Sequence, residues 1–310
     1  MLTLPWRCGQ HRTRASGLTH SAYRFGLAAD SGCGPREIAE YAARAEQAGF
    51  DTYVMSDIGV LRSPLPTIVA AAGATSQLRV GTFVLNVGLW DPGRLVRELA
   101  TVDHLTGGRL EIGLGTGIST PDIAQLMPPT RAARVQRLKE VVTAIEQAAG
   151  QQRSPFAQAN PQLLIAVTGD QTARIAARHA ATFTVAAVPP VAKVTLPPGE
   201  RVLPTLEATE ARLAQARDWA GGRDLEINVG VPVQITSDRE GVAHELAKVH
   251  TYLTPEQIIA SPKLLIGTVD QIAERILNYG ERLGLTYNVV IGVEAAEFEP
   301  VIQRVRRATG

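Results

Sequence analysis

A chain of 310 residues with 45% hydrophobic and 20% charged residues has the composition of a globular protein that buries a sizeable core. This length accommodates one large α/β barrel or two ordinary domains. A formal charge of +1 gives no reason to expect a nucleic acid or a membrane surface as a partner. No apolar stretch approaches the roughly 20 residues that span a bilayer, and the two cysteines provide neither a disulfide framework nor a metal-binding spacing.

The first 22 residues are predicted to be a loose tail. They carry five basic or histidine side chains, namely Arg7, His11, Arg12, Arg14 and His20. Because they lack the apolar stretch of a secretory signal, we expect the protein in the cytoplasm. A single domain is predicted over residues 23–310.

Strand and helix patterns alternate along this domain. The predicted strands are Tyr23–Ala28, Asp51–Ser56, Leu78–Leu85, Arg109–Leu114, Leu163–Val167, Phe183–Val188, Leu225–Gln234 and Thr286–Gly292. The predicted helices are Pro35–Ala48, Pro64–Thr75, one that begins at Pro92 and ends at Gly107, Arg131–Ala149, Thr172–Ala180, Leu206–Trp219, a helical region from Glu240, Thr268–Leu283 and Glu297–Arg307. Residues 188–204 contain five prolines and are predicted to be an irregular insertion.

Eight strands, each followed by a helical segment, predict an α/β fold, a (β/α)8 TIM barrel. A doubly wound sheet is the alternative. It is disfavoured because no GxGxxG opens the first helix, and the segment GLGTGIST lacks the third glycine at the required offset.

The most informative segment is residues 78–117. Two apolar strands flank the helix that begins at Pro92, which predicts parallel pairing of the strands. The second strand runs into Gly115-Thr116-Gly117, so this glycine turn is expected at the carboxyl end of the sheet, where ligands bind in such folds. Glu111 interrupts the apolar pattern of the second strand and is expected to pair with Arg79 or Arg109.

Several separated motifs resemble those of one family, in the same order along the chain. They are AEQAGFDTYVMSD, LRVGTFVLN, ATVDHLTGGRLEIGLGTG and LLIGTVDQIAERI. These motifs resemble the bacterial luciferase-like family of flavin- and deazaflavin-dependent oxidoreductases. The segments SPKLLIGTVDQIAERILNYGERLGLTY and AGGRDLEINV are most similar to its actinobacterial coenzyme F420-dependent members.

The resemblance implies that a cofactor ring lies across the carboxyl ends of the strands. Coenzyme F420 is the implied cofactor and FMN is the alternative. Phe83-Val84 matches a position where many members hold a non-prolyl cis peptide behind the ring, and Gly115, Thr116 and Gly117 match the turn that approaches it. A phosphate-binding turn at a helix start is implied for Thr168, Gly169, Asp170 and Gln171.

The chain differs from the family pattern after its second strand. Many members have Asp-His there, whereas this chain has Asp57-Ile58. Ile58 can pack against a ring but cannot donate a proton. Asp57 is the candidate catalytic residue, with a helix cap or an ordinary loop carboxylate as the alternative.

Three further residues are candidates for substrate contact. Ser31 and Cys33 lie in a glycine-rich loop after the first strand, although Cys33 is equally compatible with an inert thiol. Trp90 follows the third strand, where it stacks on a ligand or lies at a surface or dimer contact. No metal site is predicted, because no pair of histidines has metal-binding spacing.

The leading functional hypothesis is an F420-dependent reductase that delivers hydride to a small imine or conjugated alkene of a biosynthetic pathway. The alternatives are an FMN-dependent monooxygenase and a non-catalytic relative that has lost cofactor chemistry. The expected partner is a small-molecule substrate, and a homodimer formed through the early helices is expected by analogy with the family.

Overall fold

The computed structural model describes residues 23–29, 34–58, 63–118, 121–186 and 202–310. The predicted tail lies outside these ranges, as does most of the proline-rich insertion. The strands are β1 (Arg24–Ala28), β2 (Thr52–Met55), β3 (Arg79–Thr82), β4 (Leu85–Asn86), β5 (Leu110–Gly115), β6 (Gln162–Val167), β7 (Thr182–Val185), β8 (Glu226–Ile235), β9 (Leu265–Gly267) and β10 (Leu285–Ile291).

The helices alternate with these strands. They are α1 (Pro35–Gln47), α2 (Pro64–Gly73), α3 (Pro92–Leu105), α4 (Arg131–Ala149), α5 (Asp170–His179), α6 (Leu206–Ala220), α7 (Arg239–Val249), α8 (Pro255–Ile259), α9 (Val269–Leu283) and α10 (Ala295–Thr309). Hydroxyl caps fix several helix starts: Thr130 Oγ1 accepts from the Ala133 N–H at α4, and Thr268 forms a capping box with Gln271 at α9. None of the helices within the described ranges is long and apolar enough to cross a membrane.

The sheet closes into a barrel. Its strands follow the order β10-β1-β2-β3-β5-β6-β7-β8, all in parallel, and β8 pairs with β10 to complete the ring. The α/β class and the eight-stranded TIM barrel predicted from the sequence are therefore confirmed.

Three strands differ from the sequence prediction. The predicted strand Leu78–Leu85 is interrupted at Phe83-Val84, which is a cis peptide bond, so β3 and β4 are separate and both pair with β5. The second difference is β9, a three-residue strand that the prediction missed and that pairs with the end of the ten-residue β8. The predicted strand Phe183–Val188 ends earlier, at Val185, and its last two residues lie outside the described ranges.

A charged cluster fills the barrel interior at the amino ends of the strands. Glu111 is buried and binds Arg24 and Arg79, with 2.9 Å between Arg79 Nε and Glu111 Oε1. The Arg24 guanidinium also lies 4.2 Å from the centre of the Tyr287 ring and 2.8 Å from Glu226 Oε2. Burial alone raises the pKa of Glu111, but the two arginines outweigh it and hold that pKa below its ordinary value. The expected Arg79 partner is confirmed, whereas Arg24 was not foreseen.

Candidate active site

A cavity of about 790 Å³ opens at the carboxyl ends of the barrel strands. Its volume lies in the range of small-molecule sites, and most of its lining is apolar. It is lined by residues that follow β1, β2, β5, β6, β7 and β10, and by the interrupted segment between β3 and β4. The cavity therefore lies at the end of the fold where TIM-barrel proteins bind ligands.

The back wall of the cavity is formed by Phe83 and Val84. The cis bond expected between them is present. Two hydrogen bonds hold this pair against the end of β2. The Phe83 N–H donates to the Met55 carbonyl at 2.7 Å, and Ser56 Oγ donates to the Phe83 carbonyl at 2.8 Å. The wall is thus fixed through both polar groups of the Phe83 backbone.

Glycines allow close packing against this wall. A Cβ at Gly115 would lie 2.6 Å from Val84 Cγ2, and one at Gly230 would lie 2.6 Å from Phe83 Cε1. Gly117 has φ of +73°, and a Cβ there would lie 1.8 Å from Asn86 Oδ1. The predicted Gly115-Thr116-Gly117 turn lines the cavity with its chain pressed against β4.

Asp57 also lines the cavity but has structural partners. Its Oδ2 accepts from the Asn86 N–H at 3.0 Å, and the Trp90 indole N–H lies near enough to the carboxylate to act on its pKa. Burial raises the pKa of Asp57 above its ordinary value, although these two donors oppose the rise. Asp57 thus links the end of β2 to the end of β4 while facing the cavity. Trp90, predicted as a substrate contact, packs against the core and is not among the lining residues.

The predicted phosphate-binding turn lies at the edge of the cavity. Thr168 lines the cavity, whereas Gly169, Asp170 and Gln171 form the start of α5 just beyond it. Arg131 Nη2 donates to the Thr168 carbonyl at 2.9 Å and lies 2.5 Å from where a Cβ on Gly169 would be.

The Asp170 carboxylate is compensated by a buried arginine. Arg212 Nη1 lies 2.7 Å from Asp170 Oδ1, and 9% of the Arg212 side chain is exposed. With Arg131, this end of α5 carries more positive than negative charge, and the helix dipole adds to it.

The polar lining residues that the sequence analysis missed include Glu294, Glu297 and Tyr41. Glu294 and Glu297 come from the start of α10, where the Glu294 N–H donates to Glu297 Oε2 at 3.2 Å. Tyr41 comes from α1 and carries the Arg44 guanidinium 4.4 Å from its ring centre. The two glutamates follow the last barrel strand, so the rule that ligand-binding residues follow strand ends would have identified them. Tyr41 lies within a helix and carries no such signal.

Eight predicted site residues line this cavity. They are Asp57, Ile58, the Phe83-Val84 pair, the Gly115-Thr116-Gly117 turn and Thr168. Ile58 is 43% exposed, so it lies at the cavity rim. Ser31 and Cys33 lie outside the described residues. Within the described ranges, no group of three histidine, cysteine or acidic side chains is arranged to hold a metal ion.

The fold and the cavity define a TIM-barrel protein with a small-molecule site at the carboxyl ends of its strands. The chain belongs to the luciferase-like monooxygenase family, whose model matches residues 18–258. This match confirms the family predicted from the sequence motifs.

Relatives share part of the sequence, and solved structures share the fold. The chain is 34% identical over 122 residues to an F420-dependent glucose-6-phosphate dehydrogenase of Beutenbergia cavernae, a match that spans 36% of each protein. The chain therefore matches well under half the length of this curated relative. The coenzyme F420-dependent tetrahydromethanopterin reductase of Methanopyrus kandleri has a similar fold, with a TM-score of 0.68, 16% identity and coverage of 93% of this chain and 99% of that one. The monooxygenase RslO1 of Streptomyces bottropensis aligns with a TM-score of 0.67, 19% identity and coverage of 92% and 98%.

Proposed function

We propose that this protein is an oxidoreductase that uses reduced coenzyme F420 to deliver hydride to a small imine or conjugated alkene. The observation that carries the proposal is the apolar cavity wall at Phe83 and Val84, with a half-buried carboxylate, Asp57, beside it. Hydride transfer needs a dry, shaped site more than it needs a nucleophile or a metal.

The residues present fit a deazaflavin or flavin. A planar ring requires a close, apolar surface, which Val84 and Gly115 provide through their tight packing. The charged tail of such a cofactor requires donors and positive charge, which the start of α5 provides together with Arg131. The cofactor supplies hydride from its reduced ring when bound.

The chain's own residues position the reactants and exclude water. Phe83, Val84 and Ile58 form an apolar boundary that strengthens electrostatic interactions inside the site. Asp57 is placed to hold a proton for the substrate, because burial raises its pKa. The hydrogen bond that it accepts from the Asn86 N–H holds its carboxyl group beside the cavity.

The names of relatives favour F420 over FMN. The Beutenbergia cavernae relative is named an F420-dependent dehydrogenase, and the motifs quoted above are most similar to F420-dependent members. An FMN-dependent monooxygenase is the second candidate, because a monooxygenase shares the fold over 92% of this chain.

Binding and turnover of the two cofactors test the proposal. The purified chain is titrated with coenzyme F420 and, separately, with FMN, and binding is followed by fluorescence. Saturable binding of F420, followed by oxidation of its reduced form by cyclic imines under low oxygen, is expected. Binding of FMN with oxygen consumption would replace the proposal with the monooxygenase, and no saturable binding of either cofactor would indicate a non-catalytic relative.

A homodimer formed through the early helices is part of the proposal. The helix α2 carries no charged side chain, and its exposed positions Pro66, Ala70 and Gly73 are small or apolar. Light scattering during size-exclusion chromatography measures the mass of the particle directly, and a monomer at micromolar concentration would contradict the proposed homodimer.

A further inference from the structure

We infer that the substrate carries an apolar arm, an alkyl chain or an aryl group, which leaves the cavity across a patch of exposed side chains at its rim. This rim patch is defined by Ile58, Ile118 and Leu126. The inference rests on the proposed function only in taking the molecule that carries the arm to be the hydride acceptor. Binding of the arm itself concerns the cavity and its rim, so it can be tested without any cofactor.

The side chains of the rim patch are exposed although they are large and apolar. The exposed fractions are 43% for Ile58, 62% for Ile118 and 64% for Leu126. A single exposed apolar side chain is common on protein surfaces, whereas several together mark a binding surface. Whether the three lie together therefore decides what their exposure means.

One buried residue, Asn86, brings the three positions together. The Asn86 N–H donates to Asp57 Oδ2 at 3.0 Å, and Asn86 Nδ2 donates to Met127 Sδ at 3.4 Å. Gly117 packs so closely against the Asn86 amide group that no side chain would fit there. Asp57, Gly117 and Met127 therefore all contact the same asparagine.

Each residue of the rim patch is the immediate chain neighbour of one of these contacts: Ile58 follows Asp57, Ile118 follows Gly117, and Leu126 precedes Met127. Neighbouring Cα atoms are about 3.8 Å apart, so the three backbone positions lie around Asn86. Ile58 and Ile118 also line the cavity. The rim patch thus continues the apolar lining of the cavity outward.

A ligand arm is the occupant that this continuity favours. Phe83 and Val84 form the apolar wall inside the cavity, and Ile58 and Ile118 extend apolar surface to its rim. A molecule that reacts inside the cavity can therefore bury its arm along the way out, and each fully buried methylene strengthens binding by up to about fourfold. A second copy of this chain seated on the same patch is the competing occupant, which a measurement of mass distinguishes.

Methyl ketones of increasing chain length test the inference. Butanone, hexanone and octanone are neutral and differ only in their methylenes. Their dissociation constants are measured by ligand-observed NMR on the purified chain without cofactor. Octanone is expected to bind at least about tenfold more tightly than butanone, because its added methylenes reach the rim patch.

A rim variant and a matched control separate the patch from the rest of the cavity. Ile118→Ser/Leu126→Ser removes two apolar side chains of the rim patch, so the preference for octanone is expected to fall to about threefold or less. Leu105→Ser/Ile235→Ser removes an exposed leucine and an exposed isoleucine that belong neither to the rim patch nor to the cavity lining, and it should retain the preference. Both variants should fold, because substitutions at exposed positions change stability little.

Equal binding of the three ketones overturns the inference, as does a preference for octanone that survives Ile118→Ser/Leu126→Ser. Light scattering on that variant addresses the competing occupant. Loss of a dimer that the wild type forms would assign the rim patch to a second copy and overturn the inference, whereas an unchanged mass supports the ligand arm. Failure of F420 and FMN to bind would remove the proposed function but leave the ketone result unaffected, so the two failures are distinguishable.

Discussion

The substitution Gly115→Ala tests the packing of the cavity wall with one added carbon. A Cβ at Gly115 would lie 2.6 Å from Val84 Cγ2 and 3.6 Å from Ala166 Cβ. Because carbon atoms pack at about 3.5–4.0 Å, the valine must move by about 1 Å. Val84 has a stiff χ1, so the movement involves its backbone or pushes its methyl group into the cavity. We expect a loss of about 1–3 kcal/mol in the free energy of unfolding and at least about tenfold weaker cofactor binding.

A double-mutant cycle separates this clash from other effects. The unfolding free energies of Gly115→Ala, Val84→Ala and the double variant are measured by urea denaturation, with cofactor titration alongside. If the clash is the cause, the double variant is more stable than the sum of the single losses predicts, by about 1 kcal/mol or more. Gly73→Ala is the control, because a Cβ there meets nothing within 4 Å at the end of α2. An additive cycle, or a Gly115→Ala variant as stable as the wild type, would refute the reasoning.

Three other predictions concern ionisable groups. Glu111→Gln leaves the buried Arg24 without its main counter-charge, so urea denaturation should give a loss of about 3–5 kcal/mol, against at most about 1 kcal/mol for Glu140→Gln at an exposed pair. The lowered pKa of Glu111 stabilises the fold above the unfolded-state value of about 4.3 and loses that effect as the pH falls through the folded-state pKa, so acid denaturation should be shallower in Glu111→Gln. The raised pKa of Asp57 has the opposite effect on stability: relative to Asp57→Asn, the wild type should lose stability as the pH rises above about 4. In activity assays, Asp57→Asn should lower kcat while cofactor binding is retained.

Periodicity predicted most of the fold because its elements are local and amphipathic. The helix α4 has the predicted bounds, Arg131–Ala149, since a hydroxyl cap and regular apolar spacing define it. The break between β3 and β4 could not be predicted from periodicity, because the run from Leu78 to Leu85 is uniformly compatible with a buried strand. The break is held by contacts between residues distant in sequence, such as the hydrogen bond from Ser56 Oγ, just after β2, to the Phe83 carbonyl.

Residues of the cavity were predicted where a strand end or a motif marked them. The same rule extended to the last strand reaches Glu294 and Glu297, which the motif comparison did not cover. Pairing between residues distant in sequence could not be predicted: Arg24 and Glu111 are 87 positions apart and meet only because the barrel closes.

The two ends of the barrel divide stability from binding. At the amino ends, Glu111 and Arg24 form a buried cluster with Tyr287, whose hydroxyl lies 2.7 Å from Thr52 Oγ1 in the space that Gly26 leaves without a side chain. Removing one partner there leaves the other charge buried without compensation, so such substitutions destabilise the whole fold. At the carboxyl ends the charges lie at the rim, where water screens them and their loss costs little stability. The rim can therefore exchange its charged residues while the barrel stays folded, so substitutions there test ligand binding without unfolding the protein.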